Sequence, residues 1–397
     1  MTDSTGVIST ETTSSGVINW KTVLIISGAY TSYNIGAGFA SGQEVLQYFG
    51  SWGGYWPIVV PLISGIIGVY FCISILKRGM DVPFRRPSDV FGSYGGKYLA
   101  RFMDVFTMII LVGNVLVMFA GAGATLHQYL KLPVYVGAAA VGVICIFIVW
   151  LGLAKLTDVL GYAGIFLIAF IALAGGYSWF VAPHGLLEAQ TNLPQYVTDG
   201  KVLQAGFAGI YGPIAAGLFY GGQLLTASIL FVVALGPRMK NNKEVVACGI
   251  GSTALLTIGV YFVLAAVLLN IDYIVEVGAQ VPMLGVIANI LPILVPVFAL
   301  VIVVGILSTI IGMLWVIGRR FAEDKTIKQK LIVLIMAVVG ICTGSFIPFA
   351  TMVNYIYPAV GFVGLFLLII MIVSDIKHYQ GWTPSADTKK SQVNFRM

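Results

Sequence analysis

Glu44 is the one carboxylate of this chain placed well inside an apolar run, and it closes a polar, glycine-rich stretch, YNIGAGFASGQE, that includes Asn34, Ile35, Gly36, Ala37, Gly38, Phe39, Gly42 and Gln43. An ionisable group at that depth is costly and by default functional: a partner for an ammonium, a proton-linked group or a gate. The bland alternative is a carboxylate reaching outer water near a helix end. The surrounding backbone carries chemistry of its own. Residues 23–49 look like one membrane-spanning helix, yet at ~1.5 Å per residue they would be roughly 40 Å long against a hydrocarbon core of about 30 Å. Glycines lower helix propensity where the excess lies, so the spacing predicts a helix broken in mid-membrane. The amides that open the outer half would then face an anion, and the carbonyls that end the inner half a cation. Gly38 and Gly42 also form a small-xxx-small pair, so close helix packing explains the same glycines.

These groups hold ions or small solutes. Bond-breaking chemistry finds no support, because His127, His184 and His378 are scattered without ligand spacing. Cys72, Cys145, Cys248 and Cys342 all fall in apolar runs, which suggests neither a disulfide framework nor a metal site. With 397 residues, 58% of them hydrophobic and only 10% charged, the chain reads as an all-α polytopic membrane protein. Nothing points to nucleic acid; the lipid bilayer is the expected surrounding.

Apolar runs bounded by polar or turn-rich segments predict ten transmembrane helices: 20–49, 53–76, 98–129, 133–153, 156–181, 205–235, 245–269, 283–317, 329–348 and 354–374. With the N-terminus inside, twenty basic residues fall on inner segments and only Lys131 and Lys201 outside. So lopsided a distribution orients the chain in the cell membrane as a multi-pass protein with both termini cytoplasmic. Residues 1–18, Ser/Thr-rich and without Lys or Arg, read as a disordered cytoplasmic tail, and 376–397 as a second tail. The outer loop 182–204 contains Pro183, Pro194 and a short amphipathic piece, suited to a lid or a connector. Tyr355 and Tyr357, ahead of Pro358, stand where an outer gate or an interfacial aromatic would.

The sixth span echoes the first. Phe219, Tyr220, Gly221, Gly222 and Gln223 repeat the F-x-x-G-Q of Phe39 to Gln43, and both sites open a set of five spans. An odd number of spans per repeat enters the membrane from opposite sides, so the expectation is two inverted five-helix repeats, 19–181 and 205–375, with helices 1 and 6 both broken. Pro213 adds a reason for the sixth helix not to run straight.

IGAGFASG in the first of ten spans, the connector GPRMKNNKE after the sixth, and Ser308 beside Thr309 in the eighth together resemble the amino acid-polyamine-organocation superfamily with its LeuT-like five-plus-five inverted repeat. More narrowly, NIGAGFASGQE is similar to the YkvI-like bacterial membrane proteins. The resemblance implies that amides around Gly36, Ala37 and Gly38 receive a substrate carboxylate, with Phe219, Tyr220 and Gly221 as the facing wall. It also implies a sodium ion held by Ser308, Thr309 and carbonyls near Ser32, Ile35 and Gly305, hard oxygen ligands for a hard cation.

Residue by residue, plainer readings stand beside these. Ser308 and Thr309 would satisfy themselves on the preceding helical turn. Asn34, Asn114, Gln43 and Gln223 would contact substrate or simply tie helices together. Phe39, Phe119, Phe219 and Tyr220 would wall a pocket or merely fill space. The expected function is secondary transport of an amino acid or similar small zwitterion, sodium-coupled, by alternating access. A proton-coupled transporter or exchanger working through Glu44 is the alternative within the same fold, and a membrane-embedded receptor or enzyme is the alternative of another class.

Overall fold

The computed structural model describes residues 17–82, 84, 86–151, 156–182, 184–206, 210–323 and 325–379, the side chains of 151, 156–168, 308, 378 and 379 excepted. Among these residues the protein is helical throughout. The first span is three pieces, α1 (Trp20–Asn34), α2 (Ala37–Ser41) and α3 (Gln43–Tyr48). There follow α4 (Trp56–Asp81), α5 (Asp89–Leu130), α6 (Val134–Leu151), α7 (Leu156–Val181), the short α8 (Leu193–Thr198), α9 (Pro213–Leu235) and α10 (Asn242–Leu268). The chain ends in α11 (Ile271–Glu276), α12 (Pro282–Ile290), α13 (Val295–Phe321), α14 (Ile327–Phe346) and α15 (Phe349–Tyr379). Seven helical stretches are each long and apolar enough to cross a bilayer, and shorter apolar helices cover Val134–Trp150 and Ala169–Val181. The protein is therefore a multi-pass membrane protein.

Helix ends follow local chemistry. Asn19 caps α1 by accepting from the amides of Lys21 and Thr22. Asn241 and Thr326 do the same for Glu244 and Gln329 at the starts of α10 and α14. Pro57, Pro213 and Pro282 sit in first turns, where the missing N–H costs nothing. Within α5, Gly96 at φ 72° sets a short amphipathic helix off from the membrane-crossing length that follows.

Two expectations need correction. The sixth span is not interrupted at Phe219–Gln223: α9 is continuous from Pro213 to Leu235, and the chain departs from helix upstream, at Gly212 with φ 89°. The glycines of the motif serve packing. Gly221 lies against Ile67 of α4, while Gly222 meets the backbone of Gly361 and Leu365 on α15, so the two helices cross backbone to backbone. The predicted eighth span, 283–317, is likewise two helices. Pro292 cannot extend α12, and Leu291 leaves helical geometry before α13 begins.

At one end of the bundle a polar cluster joins α4, the start of α5 and the end of α15. Arg78 pairs with Asp375 at 2.7 Å, donates to the Ser93 carbonyl at 2.8 Å and lies over the Tyr94 ring. Tyr70 and Ser74 donate to the other Asp375 oxygen. This basic segment is thus tied specifically to the last helix. Asp104 of α5 is bonded to Arg320 of α13. Asp375→Asn should lower unfolding stability by about 1–3 kcal/mol, because Arg78 is only 15% exposed and would keep its charge without its partner. Arg78→Lys should cost less but not nothing, since an ammonium cannot fork between Asp375 and Ser93. Thermal unfolding of purified protein measures both.

Candidate functional site

The first span is broken where its sequence predicts. The Ile35 amide still reaches the Thr31 carbonyl, but the Gly36 amide turns to Asn34 at 3.1 Å instead of to Ser32. Gly36 is extended at φ −94°, ψ −170°. The next i to i−4 bond runs from Ala40 to Gly36. The amides of Ala37, Gly38 and Phe39 therefore head a helical turn ahead of its first internal bond, and the carbonyls of Ser32 and Tyr33 lose the partners a continuous helix would supply. A second break follows at Gly42, left-handed at φ 79°, where a side chain would meet Met283. In an apolar interior such breaks persist only inside protein or beside a wet cavity.

Neighbouring helices close around this turn. Met118 of α5 lies where a Gly36 side chain would begin, and Ala37 packs on Gly121. Asn114 is one turn from Met118 on the same face of α5 and is half-buried. α9 approaches from another direction: Tyr33 stacks on Phe231 at 4.3 Å and donates to the Ala227 carbonyl, while Tyr220 donates to Glu44 at 3.0 Å. Gln223 is on the same face of α9, between the levels of these two contacts, and so faces the break. Its Oε1 is buried with no hydrogen-bond partner. A buried acceptor left unpaired is unfavourable unless something else fills it.

Glu44 is 4% exposed. Its carboxyl folds back over Gly38, and with the edge of Tyr357 it takes the space a Gly38 side chain would need. Tyr48 and Phe49 pack edge-on against Tyr220, at 5.1 Å and 4.6 Å between ring centroids. None of the ion pairs among the described residues reaches this carboxylate. The bland alternative, a carboxylate reaching water at the helix end, is not what the structure shows.

The structure does not gather all the predicted residues. Phe219 stacks on Phe362 of α15, Gly221 faces α4, and Phe39 is directed at Gly259 of α10, so these three line helix contacts away from the α9 face that meets the break. Asn34 bonds its own turn at Tyr30. Gln43 is buried, its amide on the Ser41 hydroxyl. On α13, which packs against α2, the Thr309 hydroxyl donates to the Gly305 carbonyl at 3.1 Å. The Ser308 side chain lies outside the described residues. Ser32 and Ile35 flank the break, partly exposed.

Sequence reasoning missed a second polar cluster just beyond Glu44. Gln47 donates to the Ala350 carbonyl and accepts from Asn354, which also donates to the Gln204 carbonyl. The Ala205 amide bonds the Gln47 carbonyl. This cluster binds α3 to the start of α15 and to the segment leading into α9. Asn354, a buried amide in an apolar run, is the signal that was available. Further along, Tyr196 and Asn192 of the 182–204 connector donate to Asp272, and the carboxylate holds the Tyr196 phenol above its ordinary pKa. Every residue from Ala37 to Ser51 is buried, whereas Ser32 to Gly36 are all at least partly exposed.

No family model matches the chain. It is 27% identical over 360 residues to YyaD of Bacillus subtilis, named an uncharacterised protein, covering 90% of this chain and 96% of that one. It is 23% identical over 346 residues to YkvI of the same organism, an uncharacterised membrane protein, covering 85% and 91%. Among solved structures, a manganese transporter of Eremococcus coleocola in complex with an aromatic bis-isothiourea compound has the same fold at 13% identity, with a TM-score of 0.51 over 97% of this chain and 94% of that one. The resemblance to YkvI-like bacterial membrane proteins holds: this chain is similar to YyaD and YkvI over most of its length, and it shares its fold with a solved transporter.

Proposed function

We propose that the protein is a secondary transporter that carries an amino acid or similar small zwitterion by alternating access around the first-span break. The carrying observation is the break itself, with free amides on one side, free carbonyls on the other and the unpaired Gln223 acceptor facing it. Amides suit a carboxylate; Gln223 and the carbonyls suit an ammonium. The fold shared with a manganese transporter supports carriage of a solute. A transition metal as cargo is less well supported, since no group of three His, Cys, Asp or Glu able to hold one occurs among the described residues.

In this reading the ten spans form two inverted repeats, and α1 and α9 meet as the leading helices of the two halves. The orientation from basic residues puts the α3 side outside, so the conformation described is closed outward. Sodium is the coupling ion that the resemblance implies, held between the end of α1 and Thr309 and Ser308 of α13.

A thermal-shift screen of amino acids and amines on purified protein, with and without sodium, should find a ligand that stabilises by about 2.7 kcal/mol at a hundred times its Kd. That ligand should then accumulate in proteoliposomes. A binder that is never carried would favour a receptor instead. Ser308→Ala with Thr309→Ala should abolish sodium stimulation of uptake, and unchanged sodium dependence would remove the ion from this site.

A further inference from the structure

We propose that Glu44 is a proton-binding site whose occupancy is required for the outer side to close, so that each outward closure takes up one proton. The inference rests on the transporter reading only in treating closure of the α3 side as one half of the cycle.

The geometry carries it. Glu44 is held under a lid made of three elements: Tyr220 from α9 at 3.0 Å, Tyr357 from α15, and Tyr48 from its own helix. Among the described residues these tyrosines are the titratable groups facing it. The turn at Gly42 beside it is met by Val267 of α10 and by Met283 of α12, both apolar. No cation is supplied among the described residues. A phenol can give a carboxylate one hydrogen bond but cannot balance its charge, and no Lys, Arg or His of the described ion pairs is within reach. A neutral carboxylic acid satisfies the same site, accepting from Tyr220 at Oε1 while its own proton removes the charge.

The lid is also the outer seal. α3 is fastened to α15 and to the connector before α9 by Gln47, Asn354 and Ala205, directly beyond Glu44. Separating these elements would let water reach the carboxylate, which then ionises; bringing them together expels the water and returns the proton. Protonation and closure are thus one equilibrium. By linkage, the closed form gains as pH falls and the open form gains as pH rises, by up to about tenfold for each pH unit when one proton is involved.

The test uses Val202, 3% exposed in the seated connector, as a reporter. Val202→Cys is introduced with Cys342→Ser, which removes the exposed one of the four native cysteines. Labelling by a membrane-impermeant maleimide is then followed in proteoliposomes between about pH 8 and about pH 5.5. Dividing the rate by that of the same protein carrying Glu44→Gln cancels the pH dependence of the thiol. The ratio should fall as pH falls, by up to about tenfold per unit, and E44Q itself should stay poorly labelled throughout. Glu44→Asp, which keeps the acid, should keep a slope.

A flat ratio, or an E44Q protein labelled faster than its parent, would overturn the proposal. Should E44Q not accumulate, infrared difference spectra of the parent serve instead. A deuterium-sensitive carboxylic-acid C=O band at low pH whose frequency shifts in E44D supports the site, and its absence from the parent refutes it. None of these readings requires substrate flux, so the proton site fails or stands separately from the transporter reading.

Discussion

Gly364→Val should leave almost no folded protein in the membrane. A side chain at this position would run into the Gly222 carbonyl and stand 2.5 Å from the Thr226 hydroxyl, on the helix that crosses α15 in the middle of the bundle. The reciprocal contacts are equally close: a side chain on Gly222 would stand 2.9 Å from the Leu365 amide, and one on Gly361 would meet the Phe219 carbonyl. Apart from the Thr226 hydroxyl these neighbours are backbone, so no rotamer change relieves the overlap. Helices in lipid lack the hydrophobic drive that would force a poorer fit together, and close backbone approach is much of what holds them. A loss of more than about 3 kcal/mol is expected, at the severe end for a single substitution. Yield and monodispersity of a fluorescent fusion after mild solubilisation measure it. A normal elution profile would mean that α9 and α15 do not meet as described.

Gly38→Ala separates function from folding. The added carbon would stand 2.9 Å from the Tyr357 ring and closer still to the Glu44 carboxyl, which is the far end of a flexible side chain and can move aside. The fold should therefore survive with a drop of about 1–3 kcal/mol at most. Glu44 cannot move aside and keep its Tyr220 hydrogen bond under the same lid. Initial uptake should fall by at least about tenfold, equivalent to about 1.4 kcal/mol in the rate-limiting step, while the protein still purifies as a monodisperse species. Uptake at the parental rate would show that neither the Gly38 amide face nor the seat of Glu44 matters to transport.

Bending and packing glycines look alike in the sequence. F-x-x-G-Q occurs in both halves, and the shared motif suggested a shared break. At Gly42 the backbone is left-handed and the helix ends; at Gly222 the helix continues and the missing side chain admits another backbone. Glycine permits both outcomes at similar local cost, so the choice falls to whatever packs against it. At Gly42 it is Met283 and Val267. On the sixth span it is the glycine face of α15.

Comparable reasoning explains which site residues were legible. Glu44 was visible because a carboxylate in an apolar run is rare enough to need a reason. Asn114 and Gln223 were visible as polar residues in apolar runs, and the structure leaves the Gln223 Oε1 buried without a partner. Phe219 and Gly221 were chosen as neighbours of Tyr220, but adjacent residues on a helix point about 100° apart, and only Tyr220 reaches the first span.

Composition and the periodicity of apolar runs determined that this is a multi-pass helical membrane protein, and the surplus length around Asn34–Gly38 determined that its first helix breaks. These are local quantities, since a bilayer has a given thickness and a backbone must satisfy its own polar groups within it. The tertiary structure decided what the break faces, which glycines bend and which pack, and that Glu44 is sealed beneath three tyrosines rather than reaching water. Those outcomes depend on contacts between residues far apart in the chain, such as Glu44 with Tyr220, 176 positions away, and Gln47 with Asn354, 307 away, and nothing in the intervening sequence encodes their distance.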